Sequence, residues 1–473
     1  MASRLGWRSR AASLVAALAS AVGATAGPPN IVWVLSDDAG YRDFGFQGNA
    51  EFADVTPNID RIATEGLVAE QAYVTSSVCS PSRAGMLTGR YPQRFGFENN
   101  LPGSWNRWKD PAWSAPGGHW ATWGLDLDER TIADRLGELG YDTALVGKWH
   151  QGLSDRYTPN ARGFDYFYGL RSGSRLYEPY GGEYIGDAFP AEYAYNVEKA
   201  IFENGERQPE HGYFTDRLGE ASVDWIEGRQ PGEPFFLFLS FTAPHTPMQA
   251  DDARLAWARE RFPDLKPGSS RLRYVAMMKA MDENVGRVLD ALEEKGFADN
   301  TIVVFFNDNG GSIKNASENT PLRGHKWGPF EGGLRIPMAI RWPGLIEPGG
   351  RLAMPVSTLD LTPTLLAAAG GDPSATRLPL DGIDMTAWLD DPDTPAMDRT
   401  LFWREANRQG RVRVALHQPW KLVLSTKNPP MLFDLSADPV ETNNLIDAHP
   451  SIAAELEAAI AEWETGLVDP AWN

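Results

Sequence analysis

The chain has 473 residues, 42% apolar and 23% charged, with a formal net charge of −19. That is ample apolar material for a large core, and the acidic balance excludes a general affinity for nucleic acid, which wants clustered positive charge. A single cysteine, Cys79, excludes an internal disulfide, so its thiol is either a packing residue or chemistry.

Met1 to Ala26 carries Arg4, Arg8 and Arg10, a small apolar run from Ala11 to Val22, and an Ala24-Thr25-Ala26 cleavage pattern. This layout predicts a secretory signal peptide over 1–26 and an exported, periplasmic or secreted chain, mature from about Gly27. The run is short and alanine-rich for a membrane span, with an N-terminal anchor as the alternative. Asn30 to Leu35 is a continuous β-branched apolar run, which predicts a buried strand, and it ends in Ser36-Asp37-Asp38-Ala39-Gly40. Two adjacent carboxylates at a strand end are either an exposed acidic turn or a cation site, since like charges repel unless neutralised. The next stretch, Cys79 to Arg90 (CSPSRAGMLTGR), surrounds the thiol with Ser80, Pro81, Ser82 and Arg83. Inert cysteines sit among apolar residues, so these neighbours favour a site.

Gly103 to Gly124 holds Trp105, Trp108, Trp113, Trp120 and Trp123 with Arg107, Lys109 and His119 among them. Aromatic faces interleaved with cations suit an anionic sugar, which makes Trp105, Arg107, Trp108 and His119 candidate substrate contacts. An aromatic loop packed on the surface is the equal alternative. Leu127 to Leu139 is predicted helical, and Tyr141 to Val146 is predicted to be a strand running into Gly147-Lys148-Trp149-His150. Strand alternation would put Lys148 and His150 on one side, able to reach one anion.

Phe235 to Phe241 (FFLFLSF) is a further predicted buried strand delivering His245, which is flanked by Pro244 and Pro247. A histidine so restrained suits a proton donor or an anion contact. Ser270 to Leu292 is predicted to be a long amphipathic helix. Thr301 to Phe306 repeats the strand pattern and ends in Asn307-Asp308-Asn309-Gly310-Gly311. Together Asp37, Asp38, Asp308 and Asn309 supply hard oxygen donors, which suit Ca2+ or Mg2+. From about Asp391 the chain turns to short β-like runs broken by turn residues and a final helix from Ser451 to Thr465, which predicts a small antiparallel sheet with one helix packed on it.

Cys-x-Pro-Ser-Arg followed by Leu87-Thr88-Gly89-Arg90 resembles the signature of the type I sulfatases of the alkaline phosphatase-like superfamily. Three further stretches share the likeness: the four strand-end ligands, Gly147-Lys148-Trp149-His150 with Gln151 in place of a leucine, and Asn319 to Pro337 (NTPLRGHKWGPFEGGLRIP). The resemblance covers nearly the whole mature chain. It implies an α/β fold with a large mixed sheet flanked by helices, a catalytic domain over 27–390 and a C-terminal subdomain over 391–473. It implies that a maturation enzyme oxidises Cys79 to formylglycine, whose gem-diol attacks sulfur to give a covalent sulfate. It also implies Ca2+, with Mg2+ as the substitute, at Asp37, Asp38, Asp308, Asn309 and the modified Cys79. By the same likeness Cys79, Arg83, Lys148, His150, His245 and Lys326 form the catalytic set: Lys326 is assigned to the sulfate and His245 to the scissile oxygen, while Glu331 and Arg335 hold a glycine-rich turn. The implied activity is hydrolysis of a sulfate ester, with a sulfated carbohydrate preferred. Within the superfamily the alternative is a formylglycine-dependent phosphonate or phosphodiester hydrolase. Outside catalysis it is a glycan-binding relative that would have lost ligands or the cysteine, and no such loss is seen here.

Overall fold

A computed structural model of the chain describes residues 27–101, 119–177, 200–209, 211–407 and 410–472. The first apolar run forms β1 (Asn30–Ser36), buried along its length, and is followed by helix α1 (Pro57–Thr64), β2 (Leu67–Tyr73) and helix α2 (Cys79–Thr88). Next come α3 (Ile132–Glu138), β3 (Asp142–Lys148), β4 (Tyr166–Leu170) and the short strands β5 (Ile201–Glu203) and β6 (Glu206–Arg207). Helix α4 (Phe214–Glu227), β7 (Phe235–Ser240), α5 (Asp252–Arg261), α6 (Ser270–Glu294) and β8 (Thr301–Asn307) follow. The larger part closes with β9 (Arg335–Ile336), β10 (Met338–Arg341), β11 (Gly350–Ser357) and α7 (Leu361–Ala368). Four strands, β12 (Leu401–Asn407), β13 (Gly410–His417), β14 (Trp420–Ser425) and β15 (Met431–Asp434), then precede helix α8 (Pro450–Glu464).

The main sheet runs β11-β2-β10-β8-β1-β7-β3-β4-β5-β6, with β9 on β2. At its centre β8, β1, β7, β3 and β4 are parallel, and the middles of their runs are largely apolar because both faces are covered. Helices α4, α5 and α6 cover one face, around Leu218, Leu272, Met278 and Val285; α3 and α7 cover the other, around Leu136 and Leu365. Trp33 of β1 shows what holds the centre together, lying edge-on to Phe236, Phe238 and Phe306 at centroid distances of 5.3, 5.5 and 5.6 Å. Among the described residues no helix is long and apolar enough to cross a membrane.

One predicted boundary fails for a local reason. The helix expected over Leu127 to Leu139 begins only at Ile132, because Thr131 accepts from the Asp134 backbone N–H while Asp134 accepts from the Thr131 N–H. That reciprocal cap stops the helix from extending backwards, and 127–129 are turn and bend.

The small sheet is antiparallel in the order β12-β13-β14-β15, with α8 packed on Leu422, Leu432 and Ala415 through Leu456 and Ile460. Its other face meets the main body, where Trp403 Nε1 donates to Val74 O at 2.6 Å and Tyr73 and Leu334 join the Val414 and Phe433 cluster.

Candidate active site

The parallel strands end nearly level. Ser36 pairs with Asn307, Leu35 with Ser240 and Gly147 with Ser240, so the residues that follow β1, β8 and β7 meet Lys148 along one edge. Ligands gather at such carboxyl ends because the backbone turns there are free to present side chains. Asp37 and Asp38 are buried at that edge, which rules out the exposed turn.

Helix α2 brings the thiol in from the other side. Cys79 is the first residue of α2, buried, with Pro81 tolerated in the first turn where no donor is needed. Gly85 lets the helix lie against Thr75, where a Cβ would come within 2.3 Å of Oγ1. The positive end of α2 therefore points at the carboxylate edge.

The side chains interlock there. Cys79 Sγ is 3.7 Å from Asp37 Oδ1, and Lys326 Nζ lies 2.8 Å from Sγ and 2.5 Å from Asp38 Oδ1. Lys148 Nζ is 2.5 Å from Asp37 Oδ2. Arg83 donates to Asp308 Oδ2 through Nε at 3.0 Å and to Ser240 Oγ through Nη1 at 2.6 Å, and its Nη2 forms an ion pair with Asp308 Oδ2 at 2.9 Å. His245 Nε2 is 3.6 Å from Asp38 Oδ2, while its Nδ1 faces Thr246 O at 2.6 Å. Candidate ligand atoms of Asp37, Asp38, Cys79 and His245 all lie within 4.8 Å of one another.

Burial alone would raise Asp37, but Lys148, His245, Arg83 and Lys326 outweigh it and hold this carboxyl well below the usual range. Burial and the neighbouring Asp37 push Asp308 up to about 6 against Arg83 and Lys148, which marks carboxylates crowded more closely than the cations around them neutralise. Asn309 donates Nδ2 to Asp38 Oδ1 at 2.8 Å, yet its buried Oδ1 has no donor. An unpaired amide oxygen beside three buried carboxylates fits a hard divalent cation, the kind that takes oxygen ligands. Burial and Asp308 push the Cys79 thiol up to about 12, so the unmodified group is neutral at pH 7. Lys326 keeps its proton well above the ordinary range despite burial, because Asp38, Cys79 and Asp37 surround it.

His150 lies near enough to Lys148, Arg83 and Asp37 to feel their charges, although strand alternation does not set its direction. The strand ends at Lys148, and His150 has a backbone φ of 60°, so a left-handed turn aims its ring, which packs on Gly173. Burial, with Lys148 and Arg83 close by, holds His150 well below its ordinary pKa, and its Nδ1 is buried without a partner. Trp105, Arg107, Trp108 and the side chain of His119 lie outside the described residues. Trp123, from the same stretch, stacks on Trp472 at 5.5 Å with an interplanar angle of 18°.

Four residues have roles here that do not follow from the sequence. Ser240 fixes Arg83, and Gln151 donates Nε2 to Ser80 O at 2.8 Å, bracing the first turn of α2. Glu405, from β12, accepts from Ser76 Oγ at 2.7 Å and from both the N–H and the hydroxyl of Ser77, just ahead of Cys79. Trp327 has φ 73°, a conformation strained for a bulky residue, and is 44% exposed, the one exposed large aromatic among the described residues. It directly follows Lys326, and its backbone N–H donates to Ser77 O at 3.1 Å, which ties its backbone to the segment leading into α2.

The Sulfatase family model matches residues 29–371, with all of the strand-end residues above inside it. The chain belongs to the sulfatase family. These are the type I sulfatases of the alkaline phosphatase-like superfamily, so the chain is a sulfuric ester hydrolase. A second model, N-sulphoglucosamine sulphohydrolase, C-terminal, matches 326–465. Among sulfatases, human N-acetylgalactosamine-6-sulfatase is 32% identical over 389 residues, covering 80% of this chain and 68% of the relative. Bovine arylsulfatase A is 31% identical, covering 96% of this chain and 90% of the relative. The crystal structure of Ps i-CgsB in complex with k-i-k-neocarrahexaose is similar at 31% identity, with a TM-score of 0.82 and 94% of each chain covered.

Proposed function

We propose that this sulfatase removes sulfate from a sulfated carbohydrate, with Cys79 oxidised to formylglycine by a maturation enzyme and Ca2+ held by Asp37, Asp38, Asp308 and Asn309. The observation that carries the reading is the meeting of Lys326 Nζ, Asp37 and Asp38 at Cys79, a thiol too high in pKa to act as a thiolate. A hydrated aldehyde at this position supplies two hydroxyls on one carbon, one to attack sulfur and one through which sulfate is later expelled. The bound cation supplies Lewis acidity toward a sulfate oxygen and that hydroxyl.

The chain's own side chains do the rest. Asp38, or a neighbouring carboxylate, takes the proton of the attacking hydroxyl. Lys148, His245 and Lys326 bind sulfate oxygens and offset the charge that builds there. Arg83, tied to Asp308 and Ser240, keeps position 79 and the carboxylates in fixed relation. His245, with Lys326, delivers the proton to the leaving alcohol. His150 is neutral at pH 7 with a free Nδ1, which suits removal of the proton from the second hydroxyl.

A sugar substrate is supported by Trp327, the partly exposed tryptophan next in the chain to Lys326, a residue type that stacks on the apolar face of a pyranose. The oligosaccharide-bound relative and the relative named for N-acetylgalactosamine point the same way. The leader-like residues 1–26 support export.

Peptide mass spectrometry across residue 79, on protein from its own host, tests the reading: conversion lowers the mass by about 18 Da. An unmodified thiol in protein that nevertheless releases sulfate from glycans would sink the formylglycine assignment. Absence of sulfate release from every sulfated glycan, in fully converted protein, would sink the substrate assignment.

A further inference from the structure

At the far end of the sheet from this site lies a buried charged group with no acid paired to it. Arg135, in the last turn of α3, is only 7% exposed, and its Nε is buried with no hydrogen-bond partner. Among the described residues it has no ion pair. The acids that favour its charge are committed elsewhere, Asp134 to the Thr131 cap and Glu129 to Arg90. Burial and the like charge of Arg130 lower its pKa. A guanidinium cannot escape burial by giving up its proton in ordinary conditions, so a desolvated one without a counter-ion is costly.

Arg135 lines a cleft of about 250 Å3 between α3 and the loop that follows α7. Arg130 and Arg377 line it too, with Leu366 as an apolar wall. Two acids also line the cleft, so the guanidinium groups exceed them by one: Glu138 pairs with Arg130 at 2.7 Å, and Asp372 accepts from the N–H and hydroxyl of Ser374. Arg377 spends one Nη2 bond on Asp128 O and keeps other donors in its fork. The end of α3 leads directly into the start of β3, so the cleft is roughly 20 Å of strand from Lys148.

We propose that this cleft is a second oxyanion site, which takes sulfate with Arg135 at its base and Arg130 and Arg377 at its rim. A planar guanidinium fork offers paired donors to a tetrahedral oxyanion, and the bound charge supplies the counter-ion that Arg135 lacks. The occupant is free sulfate, the product of the reaction, or a sulfate group on a glycan chain. The proposal stands apart from the chemistry at Cys79 and does not depend on it.

Calorimetric titration of the full mature chain with inorganic sulfate tests it. Wild type should bind one sulfate more per chain than R135Q does. R377Q, altered at the rim where folding is not at stake, should weaken the second sulfate several-fold. Sulfate binding by R377Q with the stoichiometry and every affinity of wild type would overturn the site, whether or not R135Q folds. The KM of R377Q then identifies the occupant of a confirmed site: a rise for a sulfated oligosaccharide, with none for a small aryl sulfate, assigns it to glycan-borne sulfate, and no rise for either assigns it to the free ion.

Discussion

Residue 79 concentrates the chemistry, and its environment tells against a thiolate. Burial and adjacent carboxylates work against negative charge on sulfur, while the same carboxylates collect the cations and hold the lysines that a sulfate ester needs. Cys79→Ala should therefore abolish turnover without altering the thermal unfolding midpoint by more than a degree or two, as expected for removal of one small polar group. Cys79→Ser should permit at most one transfer per chain, because a serine sulfate has no second hydroxyl through which to leave; rapid multiple turnover by that variant would contradict the gem-diol. Trp327→Ala should lower kcat/KM on a sulfated oligosaccharide by about tenfold, the loss of one ring-stacking contact of about 1.4 kcal/mol. The same variant should leave a small aryl sulfate nearly unaffected, and equal losses on both substrates would show that the indole serves the fold.

Among the elements, β12 and β14 act on the active site from beneath. Glu405 of β12 gathers three donors from Ser76 and Ser77, the residues that lead α2 into Cys79. Glu405→Gln presents an amide N–H to one of those donors, so kcat should fall at least several-fold while KM changes little, as steady-state kinetics would record. Lys421 of β14 is fully buried between Glu331 and Glu441, each at 2.8 Å, and Glu331 also accepts from Tyr73 at 2.8 Å. Glu331 opens the glycine-rich turn that follows Lys326, so the triad joins the small sheet to the sulfate-binding lysine. Lys421→Met leaves two carboxylates buried without their cation and should cost about 3–5 kcal/mol of stability in chemical denaturation. The Glu331 side of this link is legible in the sequence as a structural acid in a glycine-rich turn, whereas Lys421 and Glu405 sit in unremarkable strands, far along the chain from what they hold.

For the whole molecule, three carboxylates, an amide, three cationic side chains and two histidines are drawn into one buried place by strands and helices from separate parts of the chain. A divalent ion binding there should hold those parts together. Chelated protein should unfold at a lower temperature, and Ca2+ at a hundred times its dissociation constant should restore about 2.7 kcal/mol of stability. Asn309→Ala should shrink that calcium-dependent shift in a thermal melt, and an undiminished shift would place the ion elsewhere. The sequence by itself determined the sheet's central strands, the residues at their carboxyl ends and the motif around Cys79, because burial on both faces and tight turns leave a local pattern in residue type. Strand order, the left-handed turn that aims His150, the brace from Gln151 and the support from Glu405 and Lys421 were decided only in the tertiary structure. Those contacts join residues up to 329 positions apart, as from Ser76 to Glu405, and ordinary polar side chains carry no mark of the partner that burial will give them.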